Sequence, residues 1–149
     1  MRLGLLYKET FRGSYHLIDN PLLERSCDLH LVVCFRTLRD AGEGLAEVSG
    51  TVLLEGLADS SAVQGTLRVR LRREKRIPYD LSFVGNDARA YRLRGQREPH
   101  PLRPLEVVTD LRFSLYDSDD REIGRGLSRC DLRADVKRTL ASVRLRLGA

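Results

Sequence analysis

Between Gly65 and Arg72 the chain alternates strictly: Leu67, Val69 and Leu71 take one parity, and Arg68, Arg70 and Arg72 take the other. Neighbouring side chains of a β-strand point to opposite faces, so such a run buries one face and turns a charged face to water. The same period of two recurs along most of the chain. It restricts the fold to sheets in which each strand has one covered face.

Leu29, Leu31, Val33 and Phe35 share a parity in the stretch Asp28–Leu38, with His30, Val32 and Cys34 opposite them. Ala46, Val48, Gly50, Val52 and Leu54 share a face between Leu45 and Glu55, and Gly50 reads as a bulge. Tyr79, Leu81 and Phe83 point inward from the segment that begins at Pro78. The return segment, Ala88–Gln96, puts Tyr91 and Leu93 inward and Arg92 and Arg94 outward. Val107, Thr109, Leu111, Phe113 and Leu115 line one face of a longer strand, Leu105–Tyr116. Phe11–Ile18 is a further strand with a bend or bulge at Gly13, and Arg121–Leu127 is a last one, weakened by Gly124 and Gly126.

Asp19-Asn20-Pro21, Gly85-Asn86-Asp87 and Asp117–Asp120 are turn signals; Gly56–Gln64 reads as a loop and Asp40–Gly44 as a break. About eight strands joined mostly by short turns, with no βαβ alternation, predict an antiparallel β-barrel or β-sandwich. The period changes at the end. Leu132, Val136, Leu140, Val143 and Leu147 recur at helical spacing after Asp131, a suitable N-cap, and Gly148 is a suitable stop. This predicts an amphipathic C-terminal α-helix over about 131–146, packed on a sheet face or plugging a barrel end.

A chain of 149 residues is long enough for one domain with its own core, expected to span 1–149. Its 42% hydrophobic and 32% charged residues suit a globular protein. Apolar runs are too short for a transmembrane helix, and the N-terminus lacks the pattern of a secretory signal. Cys27, Cys34 and Cys130 are odd in number and have no CxxC spacing, which disfavours a disulfide framework and a zinc site. Buried free thiols and a cytoplasmic location are expected instead. Charge is uneven. Residues 1–65 hold 6 basic and 9 acidic residues, whereas residues 66–149 hold 20 and 12.

One stretch resembles a known family. Arg76-x-Pro78-Tyr79-x-Leu81-x-Phe83, then Gly85-Asn86-Asp87, then Tyr91-Arg92-Leu93-x-Gly95-Gln96, with Thr109-x-Leu111 and Leu115-Tyr116, carries the likeness. Together with Glu9-Thr10-Phe11-x-Gly13 it is similar to a bacterial β-domain found beside cholesterol-oxidase-like flavin oxidoreductases and lipid-hydrolase-like modules. Relatives often have Met in place of Phe11, and Lys where Gln96 follows Gly95. The resemblance implies an accessory domain in lipid or sterol metabolism and supplies no catalytic residue.

The residues themselves show no catalytic constellation. There is no GxSxG, and His30 and Cys34 lie about 13 Å apart along a strand, too far for a direct pair. His16, His30 and His100 are too scattered for a metal set, and Asp117, Asp119 and Asp120 suit a solvated turn better than a calcium loop. No metal or cofactor is called for.

The arginines are the most suggestive feature. Arg68, Arg70 and Arg72, with Arg92 and Arg94 if the return strand lies beside them, would form a basic binding face. Such a face suits an anionic lipid surface or an acidic protein partner; nucleic acid is disfavoured because no binding motif is present. The first expectation is therefore a non-catalytic accessory or interaction module linked to lipid metabolism or a membrane surface. A small apolar-ligand (lipid) carrier is the alternative, with a barrel cavity lined by Phe35, Val52, Leu67, Val69, Tyr79, Phe83, Tyr91 and Phe113. An uncharacterised enzyme is a third reading. Unpaired strand edges leave a homodimer open.

Overall fold

The computed structural model describes residues 2–68, 77–98, 108–131 and 144–148. The strands are β1 (Arg2–Leu17), β2 (Asn20–Phe35), β3 (Leu45–Leu54), β4 (Ala58–Arg68), β5 (Ile77–Val84), β6 (Ala90–Glu98), β7 (Val108–Tyr116), β8 (Glu122–Asp131) and β9 (Arg144–Gly148); a short helix, α1 (Leu38–Glu43), follows β2. Strands β1 to β8 pair antiparallel in chain order, and β8 returns to β1, so the sheet closes. The fold is an eight-stranded closed antiparallel β-barrel, which decides between the two predicted architectures. Closure leaves each barrel strand paired on both sides. The ninth strand lies outside this circuit and pairs with residues 2–6 of β1.

The alternating residues meet inside. Leu29, Leu31, Val33, Phe35, Tyr79, Leu81, Phe83, Leu93, Leu111, Phe113 and Leu115 are all buried in one core cluster with Phe11 and Tyr15. Phe11 and Tyr79 pack edge to face with ring centroids 5.9 Å apart, and Phe83 stacks on Tyr91 at 5.7 Å. Cys27, Cys34 and Cys130 are buried and unbridged. Burial pushes the Cys27 thiol up to about 12.

One end of the barrel is made of tight turns that interlock. Gly85–Arg89 and Asp117–Arg121 share a design, with a residue at positive φ in fourth place, Ala88 at 64° and Asp120 at 62°. This is the usual chemistry of a three-residue hairpin loop. Asp117 Oδ1 accepts the backbone N–H groups of Asp119 and Arg121. Asn86 ties two turns together: its N–H donates to the Leu57 carbonyl and its Oδ1 accepts from the Asp59 N–H. The Tyr15 hydroxyl donates to the Glu55 carbonyl in the same cap.

Several expectations are corrected. Gly56–Gln64 is not a loop: β4 begins at Ala58, and its Ala58 and Val63 point inward. Asp40–Gly44 is not a simple break, because α1 runs through it, capped by the Thr37 hydroxyl accepting the Asp40 N–H at 3.0 Å. Gly13 and Gly50 are not bulges; both sit in unbroken register. A side chain at Gly50 would run into the backbone of His30 and Leu31, and its φ of 141° also favours glycine. The largest register shift among the described residues lies between β1 and β2, where Pro21–Glu24 stand opposite the single residue His16; smaller ones fall at Val52–Leu54 and Leu115–Tyr116.

The predicted C-terminal helix lies mainly on residues 132–143, outside the described residues. Its margins are strands: Asp131 ends β8, and Arg144–Arg146 belong to β9.

Candidate functional site: an arginine-lined hollow on the barrel wall

Closure fixes which outward side chains share a row. Across β5, β6, β7, β8 and β1 the register aligns Asp80, Arg94, Ser114, Arg125 and His16. The next outward row is Pro78, Gln96, Arg112, Leu127 and Ser14. Between them lies an inward row, Tyr79, Gly95, Phe113, Gly126 and Tyr15. Aromatics alternate with glycines in this row. A Cβ at Gly126 would meet the Phe113 ring carbons Cε2 and Cε1 at 2.7 and 2.8 Å. With no side chain to hold them away from the core, β6 and β8 pass close over Phe113. The outer face above them is a hollow of about 1120 Å³, and Pro21, Leu22 and Glu24 of the β1–β2 bulge wall it on one side.

Three arginines reach this hollow from three strands. Arg94 and Arg125 share a row two strands apart, roughly 10 Å between backbones, and Arg112 sits one row away on the strand between them. Arg94 lies over the Tyr116 ring, 5.3 Å from its centroid, and 3.9 Å from an Asp80 oxygen. Arg125 is gripped by Glu122 through two hydrogen bonds of 2.5 and 3.2 Å. The Ser114 hydroxyl donates to the same carboxylate at 3.1 Å. Arg125, and then Ser114, hold the Glu122 carboxyl below its ordinary range. Among the described residues Arg112 has no side-chain hydrogen bond or ion pair. The floor around these cations is half-buried and polar, with Ser14, His16, Ser114 and Tyr116.

The expected basic face is reassembled rather than found whole. Arg92 and Arg94 are outward as expected, but β6 does not lie beside β4. The intervening β5 presents Asp80, whose two oxygens each stand 3.9 Å from one of those arginines. Arg68 lines a separate hollow of about 420 Å³ beside α1, together with Asp40 and Glu47. Arg70 and Arg72 lie outside the described residues. Arg112 and Arg125 lie on the other side of β6, on β7 and β8, at positions that alternation alone does not single out.

The residues named for a carrier cavity, Phe35, Val52, Leu67, Tyr79, Phe83, Tyr91 and Phe113, are all buried inside the barrel; Val69 lies outside the described residues. The interior also contains polar groups. The Tyr79 hydroxyl donates to the buried Glu9 carboxylate at 2.7 Å. The Ser128 hydroxyl is buried with no hydrogen-bond partner among the described residues. The Tyr91 hydroxyl donates to Asp87 Oδ2 at 2.5 Å at the capped end; this bond lifts the tyrosine to about 12 and holds the carboxyl low.

No helix among the described residues is long and apolar enough to cross a membrane. No protein-family model, curated protein or solved structure matches the chain.

Proposed function

We propose that this chain is a non-catalytic binding module that holds an anionic group in the hollow over β6, β7, β8 and β1. One observation carries the reading. Two neighbouring cross-strand rows gather Arg94, Arg112 and Arg125 around Ser114, on a wall whose curvature is set from inside by Gly95 and Gly126. The guanidinium forks suit phosphate or carboxylate oxygens, and Arg112 has its donors uncommitted among the described residues. Arg125 is held in place by Glu122 before any ligand arrives, which lowers the ordering cost of binding. The resemblance to a domain of lipid and sterol metabolism is consistent with an anionic amphiphile as the natural ligand class.

Thermal unfolding with added inorganic phosphate, pyrophosphate or citrate tests this. A ligand present at about a hundred times its Kd stabilises by about 2.7 kcal/mol. At this chain length that raises Tm by roughly 5–10 °C. Arg112→Glu is expected to abolish the shift and leave the ligand-free Tm within about 2 °C, as expected of a surface change. No shift with any of the anions would refute the reading.

A second reading, the interior carrier, draws on Ser128, because an unpartnered buried hydroxyl is a place where a ligand or water oxygen fits. Native mass spectrometry separates the two. A co-purified lipid-sized mass that survives Arg112→Glu supports the interior, whereas loss of the mass in that variant supports the hollow.

A further inference from the structure

The chemistry of the hollow's rim narrows the ligand. Resting on the reading of the hollow as an anion site, the geometry points to the headgroup of an anionic phospholipid in a membrane surface, with the Pro21–Glu24 bulge dipping its leucines into the edge of the hydrocarbon.

The argument begins at the bulge. Four residues opposite one cannot stay in the ladder, so Pro21–Glu24 leave the barrel wall beside the hollow. Leu22 is 97% exposed there, and Leu23 and the adjacent Ile18 are exposed as well. A projecting leucine left wholly in water, beside two further apolar side chains on one hairpin, gains most from a medium that takes it out of water. Leu22 also lines the hollow that holds the three arginines. Apolar tip and cationic seat therefore face the same visitor.

The layout separates a membrane from a protein partner. Protein–protein interfaces place apolar residues at the centre and polar ones at the rim. Here the order is reversed: Arg94, Arg112, Arg125 and Ser114 hold the middle, and Leu22, Leu23 and Ile18 stand at one projecting edge. A peptide adding as a strand is also excluded at this place, because β6, β7 and β8 are each paired on both sides. A lipid surface fits the observed order. Phosphates lie at the level of the arginines, and the hydrocarbon margin lies beyond them, at the level of the leucines. Asp19 and Glu24 on the hairpin, with Asp80 beside Arg94 and Glu122 beside Arg125, oppose an anionic surface, so a headgroup has to be held by the guanidinium donors that these carboxylates leave over.

Co-sedimentation with vesicles tests the inference. The probes are phosphatidylcholine alone, phosphatidylcholine with phosphatidylglycerol as the minor lipid, soluble glycerol phosphate, and polyglutamate. Binding is expected only for the mixed vesicles and, more weakly, for glycerol phosphate. Arg112→Glu should weaken vesicle partition by at least about tenfold, since each cation near an anionic surface is worth roughly a factor of five. Leu22→Ser with Leu23→Ser should weaken vesicle partition by roughly tenfold. Far-UV circular dichroism verifies that both variants keep the barrel.

The outcomes divide cleanly. Binding of glycerol phosphate without binding of vesicles overturns the membrane seat and leaves the anion site standing. Vesicle binding that ignores the leucine pair overturns it too, reducing the contact to charge alone. Polyglutamate binding as tight as vesicle binding overturns it in favour of an acidic protein. Binding of none of the probes overturns both the inference and the function beneath it.

Discussion

A methyl group added at Gly126 should both destabilise the barrel and damage the hollow, because the same glycine serves both. The Cβ of Gly126→Ala would stand 2.7 and 2.8 Å from two carbons of the Phe113 ring. Carbon atoms rest at about 3.5–4.0 Å, so the ring or the strand must retreat by about an ångström. The ring has nowhere to go. Phe113 is 4% exposed, flanked in its row by Gly95 and Gly126 and packed in the same core as Leu93, Leu111 and Leu115. Overpacking of this kind costs about 1–3 kcal/mol, and a contact this short belongs at the upper end. At this chain length about 3 kcal/mol lowers Tm by roughly 6–12 °C.

Urea unfolding followed by circular dichroism measures the effect, and a double-mutant cycle identifies its cause. Phe113→Leu alone should cost about 1–2 kcal/mol through lost packing. Combined with Gly126→Ala, the smaller side chain gives the methyl its space. The pair should then be less destabilised than the two singles summed, by about 2 kcal/mol. If the singles add to within about 0.5 kcal/mol, the methyl and the ring do not compete and the packing argument is wrong. The functional arm is separate: Gly126→Ala moves β8 outward with Arg125 and Leu127, so anion binding should weaken in the single variant and recover in the pair.

Other consequences follow from single contacts. Tyr79→Phe removes one donor to the buried Glu9 carboxylate and should cost about 1.5–3 kcal/mol in urea unfolding. Ala88→Gly relieves a non-glycine residue held at a φ of 64° and should stabilise by about 1 kcal/mol, a rise of roughly 2–4 °C in Tm. Glu24→Gln removes one acidic side chain from the hollow's wall and should tighten binding to mixed vesicles several-fold. Alkaline stability is also specified. The Cys27 thiol rises from 9.0 to about 12 and the Tyr91 hydroxyl from 10.0 to about 12, so the unfolded chain loses these protons first. Stability is therefore intact below pH 9 and falls between about pH 9 and 12. In that window native Cys27 should resist iodoacetamide until denaturant is added.

Alternation told which side of the sheet a residue faces, and it did so reliably where the apolar parity was dense. Tyr79, Leu81, Phe83, Tyr91 and Leu93 are inside, and Arg92 and Arg94 are outside, as the period of two requires. It failed where inward positions are small. The start of β4 has only Ala58 and Ser61 at its inward positions, and the register shift beside Ser60, at a φ of 51°, breaks the count. The opening of β2 was missed for another reason: the bulge at Pro21–Glu24 breaks the count. Glycines misled at four positions: Gly13 and Gly50 read as bends or bulges but sit in register, and Gly124 and Gly126 read as weakening β8 when they make room for neighbouring strands and for Phe113. The hollow itself was illegible because parity assigns faces and not rows. Placing Arg125 beside Ser114 requires the length of the Asp117–Arg121 turn, and placing both beside His16 requires knowing that β8 closes onto β1.

Closure also explains why a binding surface on this barrel must be built from side chains. A sheet with free edges can recognise partners through its backbone, and its alternation then matters little. Here β1 to β8 spend their N–H and C=O groups on one another, so only rows of outward side chains remain as a vocabulary. A row across a barrel is convex by default, and convex rows spread their side chains apart. The glycines of the inward row reverse that locally. By letting β6 and β8 settle over Phe113, they turn part of the wall inward and bring arginines from three strands to bear on one volume. Core packing and recognition are thus one problem on opposite sides of the same strands. On this argument Gly95→Ala, whose Cβ would meet the Arg112 carbonyl at 2.8 Å and the Phe113 Cβ at 3.0 Å, should repeat the Gly126→Ala phenotype from the other flank of the ring. A Gly95→Ala variant that loses stability but keeps full anion affinity would separate the two sides and refute the link between them.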